Sequence, residues 1–100
     1  MGLQVRLSSD GNEVTIDTPE RFDFSVHSEF RKAYKDHSDK KKYIINLRNT
    51  KYMDSSALGM LINARSYFSS DDVKVILARC NDQIKKIFLI SRFDKKFNIV

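Results

Sequence analysis

Asp54-Ser55-Ser56 stands at the passage from the end of a strand into a helical pattern, and it gathers three side-chain oxygen groups at one junction. At such a junction Asp54 or Ser55 can accept from the free amides of a first helical turn, and Ser56 falls inside that turn. A phosphoryl group on Ser56 would meet unpaired backbone donors and the positive end of the helix. It would also add about two negative charges beside Asp54. By residue type alone the plainer reading is a helix cap.

Other chemistry finds less support. A serine nucleophile needs an activating base, and neither His27 nor His37 stands in a recognisable motif with Ser55 or Ser56. No glycine-rich phosphate loop ending in Gly-Lys-Ser/Thr occurs, so nucleotide hydrolysis has no apparatus. Cys80 is the single cysteine, which excludes an intrachain disulfide; following VKVILA, it reads as a small hydrophobe. The two histidines lack the grouping a metal site needs. The expectation is a protein that is no enzyme and needs neither cofactor nor metal.

Composition fits one globular domain over 1–100, with 41% hydrophobic and 31% charged residues. No apolar run reaches the roughly 18 residues of a membrane span. The opening MGLQVRLSSDG carries no leader, and Arg6 stands where a myristoylation signal wants Ser or Thr. A cytoplasmic location is expected. The formal charge of +5 is uneven: Arg31, Lys32, Lys35, Lys40, Lys41, Lys42, Arg48 and Lys51 face only Asp36 and Asp39, and a second cluster spans 85–96. Such clusters suit an acidic partner or nucleic acid, or simply a solvated surface. No stacking aromatic motif accompanies them, so a nucleic-acid partner is the weaker reading. Monomer and weak dimer both stay open.

Positioning these residues requires an alternation of strands and helices. Leu3, Val5 and Leu7 alternate with polar residues, Asp10-Gly11 makes a turn, and Val14 and Ile16 resume, which predicts an antiparallel hairpin closed by Thr18-Pro19. Ser25 is a candidate cap for a helix whose inner side is Val26, Phe30, Ala33 and Tyr34. YIINL (43–47) predicts an interior parallel strand. A second helix runs from Ser55 to about Ser69, with Ala57, Met60, Leu61, Ala64, Tyr67 and Phe68 on its apolar side, widened by Leu58 and Ile62. VKVILA (73–78) is a third interior strand. Asp82 caps a third helix with Ile84, Ile87 and Phe88 inward, and FNIV (97–100) closes the sheet. The order is β-β-α-β-α-β-α-β: an α/β domain with a mostly parallel sheet and an N-terminal antiparallel strand. Right-handed crossovers put the helices on a common side. Gly59 costs the second helix about 0.8–1 kcal/mol against alanine. Either close backbone approach or a shallow docking area near Ser56 would account for it.

YIINLRNTKYMDSSALGMLINAR resembles the anti-sigma factor antagonist group of the STAS domain family, whose pattern is an apolar strand, a short loop, Asp-Ser-Ser with Gly or Ala, and Leu-Gly. Phe22-Asp23-Phe24-Ser25 before the first helix, leading to Phe30, Arg31 and Tyr34, and the ending IKKIFLISRFDKKFNIV extend the likeness over nearly the whole chain. The resemblance implies a bacterial STAS-like fold and phosphorylation of the second serine, Ser56, by a partner that is both serine kinase and anti-sigma factor. Unphosphorylated, such a protein sequesters that partner; a PP2C-type phosphatase restores it after modification. ATP would belong to the kinase. The contact surface expected from these loops comprises Asp23 with Arg48, Lys51, Met53, Asp54 and Ser55. Ala57, Leu58 and Met60 add to its apolar part, with Met60 having an equal claim on the core. Pro19-Glu20-Arg21-Phe22-Asp23 lacks the glycine many relatives carry, Ala57 replaces a commoner glycine, and Asn49-Thr50-Lys51 is more cationic than usual. A non-switching scaffold of the same fold is the alternative.

Overall fold

A computed structural model describes residues 2–68 and 72–100. The hairpin comes first. Gly11 adopts φ +76°, where a side chain would be strained, and Asp10 accepts from Ser8 Oγ at 2.6 Å and from Asn12 N–H at 3.0 Å. Strands β1 (Gln4–Leu7) and β2 (Glu13–Asp17) thus pair antiparallel. Val14 and Ile16 point inward and are fully buried, while Thr15 lies on the opposite face.

The chain then makes β3 (Arg21–Phe22), a 3-10 turn, α1 (His27–Lys35), β4 (Lys42–Asn46), β5 (Tyr52–Met53) and α2 (Ser55–Tyr67). It finishes with β6 (Lys74–Ala78), α3 (Asp82–Ile90), a second 3-10 turn and β7 (Asn98–Ile99). The main sheet has the order β1-β2-β4-β6-β7, parallel throughout except for β1. Val14, Ile16, Tyr43, Ile45, Leu47, Val75 and Leu77 share one core with Phe30, Leu61, Ile84 and Phe88 from the three helices. All the helices therefore cover one face, as right-handed crossovers require. Alternate residues Lys42, Ile44 and Asn46 belong to the other face.

The element order matches the expectation, with local differences. Asp23, not Ser25, caps the entry to α1: it accepts from Ser25 N–H at 2.9 Å and so satisfies a free amide of the 3-10 turn, leaving Ser25 inside that turn. Asn81, not Asp82, caps α3, accepting from Ile84 N–H at 2.8 Å. Tyr67 is exposed on α2 and its ring lies 5.3 Å from that of Tyr34, although the periodicity placed it inward. The expected end of α2 at Ser69 lies outside the described residues. Nothing stands within 4 Å of a Cβ built on Gly59, so close approach does not explain that glycine.

The largest addition is a second, two-stranded parallel sheet. Arg21 pairs with Tyr52 and Phe22 with Met53. Phe22 and Met53 turn into the core, which anchors the ribbon. Below it, Thr18 and Thr50 are buried side by side, their hydroxyl oxygens 2.6 Å apart, and Thr50 Oγ1 donates to the Pro19 carbonyl at 2.7 Å. Glu20 O accepts from both Lys51 N–H and Tyr52 N–H, at 2.8 and 3.1 Å.

Candidate functional site

The ribbon sets the geometry of Ser56. Asp23 follows Phe22 and Asp54 follows Met53, so the parallel register brings both aspartates to the same end of the ribbon. Each then caps the helical turn after it. Asp54 Oδ1 accepts from Ser56 Oγ–H at 2.6 Å and from Ala57 N–H at 3.1 Å, closing the first turn of α2. Asp23 Oδ1 accepts from Ser25 Oγ–H at 2.5 Å and from Ser25 N–H at 2.9 Å. Two Asp-X-Ser caps lie next to each other because two short strands pair in register.

Both carboxyls titrate below the usual range. For Asp54 the Ser56 hydroxyl is the main cause and the Ala57 amide the next; the negative charge of Asp23 works in the opposite direction. For Asp23 the Ser25 hydroxyl leads, followed by the Ser25 amide, with Arg21 adding a smaller contribution. Arg21 Nε lies 2.8 Å from Asp23 Oδ2, and its guanidinium stands 4.2 Å over the Tyr52 ring. An aspartate held this acidic is a weak base, which does not suit it to activate Ser56 as a nucleophile. What the arrangement offers is a half-buried hydroxyl held on a helix end by Asp54, with a second fixed anion, Asp23, at the same end of the ribbon.

The residues expected at a contact surface divide into two groups. Ser55, Arg48 and Lys51 are exposed, and Asp23, Asp54 and Leu58 half-buried. Met53, Ala57 and Met60 are core residues with 6, 0 and 4% of their surface open, which corrects the assignment of Met53 and Ala57 to the apolar part of a contact surface and decides the open position of Met60 for the core. Met53 is the inward residue of its ribbon strand, and Ala57 and Met60 belong to the helix stripe that meets the sheet. The exposed apolar groups here are Phe24 and Tyr52, which the sequence did not single out. Phe24 follows the Asp23 cap and stacks on His27 at 4.8 Å; its outward position depends on the 3-10 turn, which leaves no mark in apolar periodicity.

The 31–51 basic cluster is divided by the fold. Lys42 opens β4 and approaches Glu13, Arg48 lies beyond the strand's other end, and Lys51 pairs with Glu20 at 3.4 Å. Lys32 pairs with Asp36 at 2.8 Å on α1. The five residues of β4 hold its ends about 13 Å apart, so the run is not one patch. Among the described residues no three of His, Cys, Asp and Glu are grouped to hold a metal ion. Cys80 is half-buried, and burial pushes its thiol up.

The STAS domain model matches residues 4–100. The chain belongs to the STAS domain family. A STAS-domain containing protein of Pseudomonas aeruginosa strain UCBPP-PA14 is 40% identical over 100 residues, covering 99% of each chain. Among solved structures, a putative anti-sigma factor antagonist from Thermotoga maritima superposes with a TM-score of 0.83 at 18% identity, covering 97% of this chain and 84% of its own. The anti-sigma factor antagonist SpoIIAA in its unphosphorylated form gives 0.75 at 16% identity, over 99% and 87%. The phosphorylated form of the Bacillus cell fate determinant SpoIIAA gives 0.74 at 17% identity, over 99% and 91%. These likenesses show the STAS fold, with its antiparallel β1–β2 and parallel remainder. Among the described residues no helix is long and apolar enough to cross a membrane.

Proposed function

We propose that this STAS domain is an anti-sigma factor antagonist whose affinity for its partner is switched by phosphorylation of Ser56. Unmodified, it binds an anti-sigma factor that is also a serine kinase and thereby influences transcription. Phosphorylation ends that binding, and a PP2C-type phosphatase restores it. Ser56 is the substrate of another enzyme, and the work is cytoplasmic.

The observation that carries this reading is the Ser56 Oγ–H to Asp54 bond at the end of the ribbon. Esterification removes the hydrogen that Asp54 accepts and substitutes an anion of about two charges, so an attraction becomes a repulsion. Asp23 at the same end of the ribbon adds a third anionic group. The first-turn amides of α2 and its dipole keep the phosphate tolerable to the fold. The change is therefore one of surface charge, not of folding. SpoIIAA has been solved in both forms, and the two match this chain almost equally, at 0.75 and 0.74, which supports a mark that leaves the fold in place.

The contact surface of this reading consists of Ser55, Leu58, Arg48, Lys51 and Asp23, with Phe24 and Tyr52 as its aromatic part. Affinity capture from native lysate with wild-type, Ser56→Ala and Ser56→Asp baits tests it, read by mass spectrometry for partner and phosphosite. Ser56→Ala stays competent, and Ser56→Asp or Ser56→Glu binds at least about tenfold more weakly through like-charge contact. Equal partner affinity for the unmodified and phosphorylated proteins would leave a scaffold without a switch.

A further inference from the structure

The main sheet ends on one side at β1, whose four residues are all exposed and whose outer side has no partner strand among the described residues. Open edges are normally blunted by shortness, proline, a bulge or free charges. The other edge, β7, has two residues. β1 is longer and has no proline, and its one charge is already engaged: Arg6 Nε and Nη2 each lie 2.8 Å from Asp17 carboxylate oxygens. Val5 and Leu7 are 39% and 53% exposed and oppose Ile16 and Val14 on the helix-bearing face.

The backbone phase of β1 is fixed by the hairpin. Ser8 N–H donates to Glu13 O at 2.9 Å, and antiparallel pairs alternate between bonded and non-bonded. Arg6 and Gln4 therefore bond inward to Thr15 and Asp17, while the amides and carbonyls of Val5 and Leu7 point away from the sheet. Leu3 continues that phase, and its N–H meets Glu29 Oε2 at 3.4 Å, a long bond that a carbonyl can replace.

We propose that β1 is a homodimerisation edge, pairing antiparallel with β1 of a second copy about a twofold axis at Val5. Outward-pointing residues must oppose one another, which leaves few registers. An axis at Arg6 sets Arg6 against its own copy, a like-charge pair. An axis at Gln4 opposes Leu3 with Val5 but sets Arg6 against Gly2, which gives the guanidinium no side chain to meet. The axis at Val5 opposes Val5 with Val5, Leu3 with Leu7 and Gln4 with Arg6. Apolar side chains then meet on the helix face, and a neutral amide meets the guanidinium on the other. The contact is self-complementary, as twofold pairing requires, and joins two five-stranded sheets into one. So short an edge buries less than the roughly 1,000 Å² of a durable interface, so the dimer is weak and separates on dilution.

The test is sedimentation of the full chain from roughly 10 μM to about 1 mM, a span suited to a weak dimer. A concentration-dependent monomer–dimer equilibrium is expected. Leu7→Lys weakens it at least about tenfold while its thermal melting stays that of wild type. In a Cys80→Ser background, Val5→Cys forms a disulfide-linked dimer on mild oxidation, since bonded antiparallel pairs bring Cα atoms to about 5.5 Å. A wild-type chain that stays monomeric to about 1 mM overturns the proposal. So does a dimer indifferent to Leu7→Lys, or one trapped by Arg6→Cys and not by Val5→Cys.

Discussion

Replacing Thr50 with valine keeps the shape of a buried side chain and removes one hydroxyl from the joint beneath the ribbon. In the native protein that hydroxyl donates to the Pro19 carbonyl at 2.7 Å and sits 2.6 Å from Thr18 Oγ1. Thr18 retains an alternative acceptor, the Asn46 carbonyl at 3.1 Å, so the Pro19 carbonyl is the group most exposed to loss. One lost hydrogen bond and one acceptor left without its donor amount to about 2 kcal/mol. With an m of ~2 kcal/mol/M, the urea midpoint of Thr50→Val falls by about 1 M with unchanged slope. The pair is coupled, so Thr18→Val with Thr50→Val destabilises by about 1 kcal/mol less than the two single changes added together. Amides of Lys51 and Tyr52, which bond to Glu20 O, exchange faster in Thr50→Val than those of β6. A Thr50→Val midpoint within error of wild type, or strict additivity in the double variant, would refute the reasoning.

Gly59→Ala stabilises the domain by about 0.8–1 kcal/mol, since a helical alanine there meets nothing within 4 Å; thermal unfolding reads it. If that same variant binds the partner more weakly, Gly59 keeps the surface beside Ser56 shallow; unchanged binding would show that it does not. Asp54 titrates below the ordinary carboxylate range chiefly because of Ser56, so in Ser56→Ala its carboxyl resonance titrates at higher pH. A depressed folded pKa lends stability above the unfolded value of about 3.9 and loses it as pH falls through the folded one. The stability difference between wild type and Ser56→Ala accordingly shrinks on acidification below pH ~4, measurable by denaturation at each pH.

The five-stranded sheet and its three helices were legible because long elements carry a period. Val14 and Ile16 alternate, and Phe30, Ala33 and Tyr34 recur at helical spacing. The ribbon was not legible, since its two-residue strands are flanked by charged residues, whereas the equally short β7 lies in the mostly apolar run FNIV. With it went the reason Asp23 and Asp54 are neighbours, and the inward turn of Met53. Ala57 was assigned to the contact surface and Met60 left open between surface and core because both follow Ser56 closely in sequence, and only packing decides which residues on the apolar side of α2 stay open. Thr18 and Thr50 read as ordinary loop polars; nothing in their types announces that two distant hydroxyls share a buried bond. Helix caps shifted by one or two residues for a related reason: Asp23, Ser25, Asn81 and Asp82 are all competent acceptors, and the backbone angle at each position selects among them.

A ribbon only two residues wide has no tolerance for sliding. Lengthening or shortening either connector, 18–20 after β2 or 47–51 after β4, by a single residue would move Phe22 or Met53 out of the interior and rotate its aspartate to the opposite side. Loop lengths, together with the buried Thr18, Leu47 and Thr50, are then what this part of the molecule must hold constant. Sequences that drift at the exposed positions here, yet keep both spans and the buried threonines intact, should still present paired aspartates to a partner, and a one-residue gap in an alignment would mark a protein that no longer does.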